Sequence, residues 1–218
     1  MRNIRIWFKK TDTAKYISHL DLSRCMTRAI HKAKLPFWYT QGFNPHVFLT
    51  ITMPISLGYT GLRESMDVKL TEDNYPFEDI ITKLNQGLPK DVQVFDVTDV
   101  VMKPGDVNYS EYIISIDCDD STKMKSEFEE LLSADTLITE KKTKKGIKEI
   151  DIKPEFQNVS FDCSESKKLK IKMILLSSNA GSINPKLLFD IYSDRYCHEI
   201  YPEVTRINCY NKNMEEFL

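Results

Sequence analysis

Two of the four histidines, His19 and His46, stand 27 positions apart in a stretch that also carries Arg24, Arg28 and Lys32. Imidazole titrates near neutrality, so a histidine pair can move protons to and from a ribose 2′-hydroxyl and a leaving 5′-oxygen. The same residues have a quieter reading, in which His19 sits at a helix start and His46 orders a turn through a backbone hydrogen bond. Arg24 and Arg28 are one helical turn apart and can fork onto phosphate oxygens. Their alternative is a solvated helix face, with Asp21 pairing Arg24. Asn44 and His46 lie in the loop Gly42-Phe43-Asn44-Pro45-His46. A second positive run, Lys141 to Lys148, includes Lys144, Lys145 and Lys148 around Gly146. It can be a phosphate-binding hairpin tip, or lysines that protect a strand edge. His19, Asp21 and His46 are possible metal ligands by type, but their spacing matches no strong zinc signature, so we assign no metal and no cofactor.

The elements that must position these residues follow from periodicity. Ile4, Ile6 and Phe8 alternate as in a strand. Ser18 precedes a helix whose apolar face is Leu22, Cys25, Met26, Ala29 and Ile30, with Asp21 placed to complete a capping pattern. Arg24, Arg28, His31 and Lys32 fall on the other side. Pro36 stops this helix by Leu35. Lys9, Lys10 and Lys34 lie nearby in sequence, and Trp7, Phe37, Trp38 and Tyr39 are candidate stacking surfaces. Val47 to Ile55 reads as a buried strand, Ser65 to Leu70 as another, Phe77 to Leu84 as a helix and Val92 to Val101 as a strand. That order is β-α-β-β-α-β, the ferredoxin-like unit.

A similar order returns. Tyr112 to Cys118 reads as a strand, Ser121 to Leu132 as a helix, and Leu137 to Ile152 as a long strand or hairpin. Leu169 to Leu176, a helix through Tyr192 and Val204 to Tyr210 follow. The expected fold is α+β, tandem ferredoxin-like halves with antiparallel sheets. They divide at the Lys103-Pro104-Gly105-Asp106 turn into residues 1–105 and 106–218. The tail after Tyr210 reads as frayed.

With 41% hydrophobic residues the chain can build a packed core, and a net charge of −2 means any polyanion site must come from local clustering. Five scattered cysteines without a CxxC pair fit a reducing cytoplasm. No apolar run suggests a signal peptide or membrane span, so no membrane association is expected. Cys197-His198 reads as a buried thiol beside a polar histidine.

The residues Arg5, Phe8 and Lys9, the run Tyr16-Ile17-Ser18-His19-Leu20-Asp21-Leu22, Arg24, Arg28-Ala29 and the Gly42–His46 loop carry a resemblance. With Pro54 and Gly58, they resemble the radical SAM-linked protein family, bacterial proteins encoded beside or fused to a radical SAM enzyme. The resemblance covers most of the first half and extends more loosely to Lys144–Ile152. Val47, Thr50 and Thr52 depart from the family pattern. The chain has no CxxxCxxC motif, so the resemblance implies that radical chemistry sits in a partner enzyme. The leading expectation is a non-catalytic accessory protein that binds RNA, tRNA or rRNA, or presents a substrate to that partner. The alternatives are a metal-independent endoribonuclease using His19 and His46, and a pure protein adaptor.

Overall fold

Ile4, Ile6 and Phe8 alternate along the first strand, β1 (Arg2–Lys10), and all three are fully buried. The computed structural model describes residues 1–143, 146–178 and 181–218, which fall into two units. The first is Met1–Val107 together with Arg206–Leu218. After β1 come α1 (His19–Ala33), β2 (Leu49–Ile51), β3 (Thr60–Leu70), α2 (Phe77–Asn85) and β4 (Val92–Asp99). The strands lie in the order β4-β1-β3-β2, each neighbouring pair antiparallel. Ile4 faces Val68 and Ile6 faces Met66 across the β1–β3 ladder. Leu22, Met26, Ala29 and Ile30 of α1, with Ile80 and Leu84 of α2, close the core over this sheet. Each such large apolar side chain gains about 1.5–3 kcal/mol from burial.

The expected strand from Val47 to Ile55 shrinks to Leu49–Ile51. Pro45 and Pro54 bracket it, and a proline has no N–H to give to a ladder. The tail after Tyr210 is not frayed. Phe217 is buried with Trp7 and Val107, its ring edge-on to Trp7 at 6.3 Å. Phe217 N donates to Cys209 O at 2.9 Å, and Met102 N to Leu218 O at 3.0 Å.

The second unit is Asn108–Thr205. It runs β5 (Tyr109–Asp117), α3 (Ser121–Leu132), β6 (Ile138–Thr143), β7 (Gly146–Asp151), β8 (Val159–Glu165), β9 (Lys168–Ser178), β10 (Gly181–Ser182) and α4 (Lys186–Tyr196). β9 pairs antiparallel with β5, β8 and β10, with Ile114 opposite Ile171. Phe128 of α3 stacks on Tyr192 of α4 at 4.2 Å and meets Phe189 edge-on. β6 and β7 form a separate two-stranded hairpin, and Gly146 at its turn has φ +118. The last strand, β11 (Glu203–Tyr210), contributes its Arg206 end to the first unit, where it neighbours β3. Both units are thus α+β with antiparallel sheets, as expected. Among the described residues, no helix is long and apolar enough to cross a membrane.

Candidate nucleic-acid interface

Ser18 caps α1: its Oγ accepts from Asp21 N at 3.1 Å and donates to Asp21 Oδ2 at 2.7 Å. That hydroxyl holds the Asp21 carboxyl below the usual carboxylate range; burial opposes the shift and Arg24 adds to it. Arg24 Nη1 lies 3.3 Å from Asp21 Oδ1, so Arg24 shares its charge with the cap. Arg28 and Lys32 follow one and two turns later, both exposed, and no carboxylate pairs with either among the described residues. Burial pushes the Cys25 thiol up and Arg28 draws it back down. The helix ends at Lys34, which takes a left-handed conformation (φ 50) just before Leu35-Pro36.

His31, on the same exposed side, anchors the next segment. Its Nδ1 lies 3.1 Å from Tyr39 OH, with the two rings 5.3 Å apart. Tyr39 bridges to Val47, and Thr40 N donates to His46 O at 2.8 Å. His46 N donates to Thr40 Oγ1 at 3.2 Å, while its Nδ1 lies 3.0 Å from that oxygen and 3.1 Å from Asn44 O. The neck of the loop is therefore closed by several bonds and rooted against the basic side of α1. Residues 41–46 are all exposed. Gly42 takes φ +136, a conformation that side chains disfavour.

Arg24, Arg28 and Lys32 thus lie along the exposed side of α1, and the segment that carries Asn44 and His46 meets that helix through the His31–Tyr39 contact. Lys148 is exposed on β7 of the second unit, opposite Lys141 in the hairpin register. Lys144 and Lys145 lie outside the described residues. His19 is the exposed first residue of α1, and among the described residues nothing joins it to His46.

Several residues read from sequence as surface are interior. Trp7, Phe37 and Lys10 are buried, so they belong to no nucleic-acid face. Trp38 pairs edge-on with Phe48 at 5.7 Å, and Lys69 Nζ sits 5.3 and 5.1 Å from their ring centres. The aromatic that sequence reasoning passed over is Phe43, fully exposed at the loop tip. Its signal was an aromatic set among the turn formers Gly42, Asn44 and Pro45.

A second group of charges is enclosed. Arg5, Lys10, Glu64 and Arg206 are 0%, 1%, 3% and 3% exposed. Arg5 forks onto Asp67 at 2.7 and 2.9 Å, donates to Met102 O and Leu218 O at 2.6 and 2.7 Å, and lies 4.1 Å over the Phe217 ring. Arg206 forks onto Glu64, with Nε to Oε1 at 3.0 Å, and donates to Met53 O. Burial pushes the Lys10 ammonium below its ordinary value, Glu64 opposes the shift and Arg206 adds to it.

In the second unit, Cys118, Asp119, Lys123, Glu127, Tyr192 and His198 line a concavity of about 220 Å³. Tyr192 OH donates to Glu127 Oε2 at 2.5 Å and Tyr196 OH to Glu127 O at 2.9 Å. Burial, then Glu127, pushes the Tyr192 hydroxyl well above its ordinary value. Cys197 is not a buried thiol. It is exposed, in a left-handed conformation that ends α4.

With the antiparallel α+β units and this basic face in view, the chain belongs to a bacterial protein family. That family is described as "Uncharacterized protein conserved in bacteria (DUF2344)", and its model matches residues 3–185. No curated protein matches the chain. Among solved structures, it is similar to one described as an unknown protein from Galdieria sulphuraria. The identity is 8%, over 94% of this chain and 98% of the other, with a TM-score of 0.28.

Proposed function

We propose that the protein is a non-catalytic accessory subunit that holds RNA, of the tRNA or rRNA kind, for a radical SAM enzyme in the cytoplasm. The observation that carries the RNA half is the exposed run Arg24, Arg28, Lys32 with the Asn44–His46 loop rooted beside it through the His31–Tyr39 contact. Each guanidinium can fork onto two oxygens of one phosphate, and two arginines one turn apart can serve one or neighbouring phosphates; the slightly acidic whole makes a local basic face the place where a polyanion would bind. The radical SAM half rests on the resemblance of the Tyr16–Leu22 and Gly42–His46 motifs. We read the two units as ferredoxin-like halves. The first has the order β1-α1-β2-β3-α2-β4 and the second β5-α3-β8-β9-α4 with the Glu203–Thr205 start of β11, the β6–β7 hairpin being an insertion.

The bonds around His46 support a loop-shaping role more than proton transfer, which argues against the endoribonuclease reading. A specific observation favours the adaptor as the second reading. Tyr16, Leu20 and Leu57 are exposed, and Gly58 N donates to Lys15 O at 2.8 Å, which brings the Leu57 segment to Tyr16. The test is a titration of the purified protein with cellular RNA at two salt concentrations in EDTA. Binding that weakens steeply with salt, without strand breaks, is expected. Absence of binding at low salt overturns the RNA reading and leaves the adaptor. Breaks with 2′,3′-cyclic ends that His46→Ala abolishes would instead establish the nuclease.

A further inference from the structure

Phe43 is exposed on all sides, yet the loop that carries it is held at its neck. The Tyr39–Val47 bridge, the paired Thr40–His46 bonds and the Asn44 O to His46 Nδ1 contact fix both ends. Gly42 at φ +136 turns the chain immediately before the ring. A rigid support for an exposed aromatic lowers the ordering cost of binding anything that covers it.

Its neighbours narrow what that is. Gln41, Asn44 and His46 are polar and exposed, and Arg28, His31 and Lys32 line the side of α1 against which the loop is rooted. A protein-docking aromatic is normally the centre of an apolar patch, whereas here Pro45 is the one apolar neighbour in the loop and the other flanking side chains are polar or cationic. Consecutive Cα atoms are 3.8 Å apart, so Phe43 lies at most about 15 Å along the chain from Tyr39, which touches His31. One short strand of nucleotides can therefore reach both the ring and the basic side of α1.

We infer that this face takes unpaired RNA, with a base stacked on Phe43 while Arg28 and Lys32 hold flanking phosphates. The inference rests on the RNA reading above and deepens it. A base within a duplex already has both faces covered by its neighbours, so a loop-tip ring selects for a base that is free. Selectivity for sequence is not needed, because every base offers a π face.

The experiment compares a 12-nucleotide single-stranded RNA with a blunt duplex of the same sequence, titrated against wild type, Phe43→Ala and Phe43→Tyr. The wild type is expected to prefer the single strand. Phe43→Ala loses about 5- to 150-fold of that affinity, the range for one stacked base, and Phe43→Tyr keeps it. The salt slope and the unfolding midpoint of Phe43→Ala stay at the wild-type values, since the ring carries no charge and packs on nothing. Equal affinity for single strand and duplex overturns the inference while the RNA reading stands. So does an unaltered affinity in Phe43→Ala, which would mark Phe43 as a protein contact. No binding of either RNA by the wild type removes the RNA reading itself, and this inference with it.

Discussion

Within the first unit two sets of arginines are treated in opposite ways. Arg5 and Arg206 are enclosed and meet carboxylates and carbonyl oxygens at every donor face the structure records. Glu64 and Arg206 line one small cavity with Trp7 and Phe217, so the ion pair and the packed tail form a single interior. Arg24 and Arg28 ride the outer side of α1, one tied loosely to its own helix cap and the other exposed. The enclosed set is shielded from any ligand, and its removal is expected to destabilise the fold. The exposed set costs the fold little and remains available. Cation chemistry alone does not identify a binding site; the decisive fact is whether the protein has already satisfied the donors.

The largest difference between the two sets is expected at Arg206. Arg206→Ala removes the guanidinium that forks onto the buried Glu64 and leaves it with the attraction of Lys10; removal of one partner of such a pair costs about 3–5 kcal/mol. Chemical denaturation should show a loss of that size. A change below about 1 kcal/mol would mean that the pair is not enclosed. Gly61→Ala tests the same interior by shape. A Cβ there would stand 2.4 Å from Glu64 Oε1 and 2.5 Å from its Cγ, forcing the carboxylate away from Arg206. The expected cost is about 1–3 kcal/mol, measured by the same denaturation. It should shrink when Glu64 is replaced by alanine as well.

Lys10 separates enclosed from exposed cations through pH. Its folded value lies below the ordinary 10.5 because of burial. In the window between the two values the unfolded chain binds more protons than the folded one, so stability rises with pH there. Below the folded value the burial penalty is constant. Lys10→Met should flatten this rise in unfolding free energies measured as pH is raised toward 10.5, while substitution of the exposed Lys32 should leave it intact. Smallest is the expected stability effect of Arg24→Ala/Arg28→Ala, within about 0.5 kcal/mol, as for surface positions generally.

Much of the helix that bears the site was legible in the chain. Ser18 and Asp21 marked its start, Pro36 its end, and the 3.6-residue spacing of Leu22, Met26, Ala29 and Ile30 its buried face, so the exposed side followed by subtraction. The hairpin at Gly146 was readable from one residue that tolerates positive φ. The enclosed charges were not. Arg206 and Glu64 are 142 positions apart and Arg5 and Asp67 are 62 apart, and such pairs are set by strand register, which a single pattern of hydrophobicity does not encode. Lys9-Lys10 read as one basic patch, yet adjacent residues on a strand point to opposite faces, and only Lys10 is interior. Phe217 was lost to the expectation that tails fray, because its partner Trp7 lies at the other end of the chain.

The exposed arginines are thus proposed to bind, and the enclosed ones to build the fold. This is tested most directly by measuring Arg24→Ala/Arg28→Ala for both properties in one preparation: RNA affinity across a salt series, and unfolding by denaturant. The account predicts an unfolding curve that overlays wild type. It also predicts weaker RNA binding, with the log–log salt slope reduced by about 0.7 for each arginine that meets a phosphate of a single strand. RNA binding and salt slope equal to wild type in the folded double variant would contradict it.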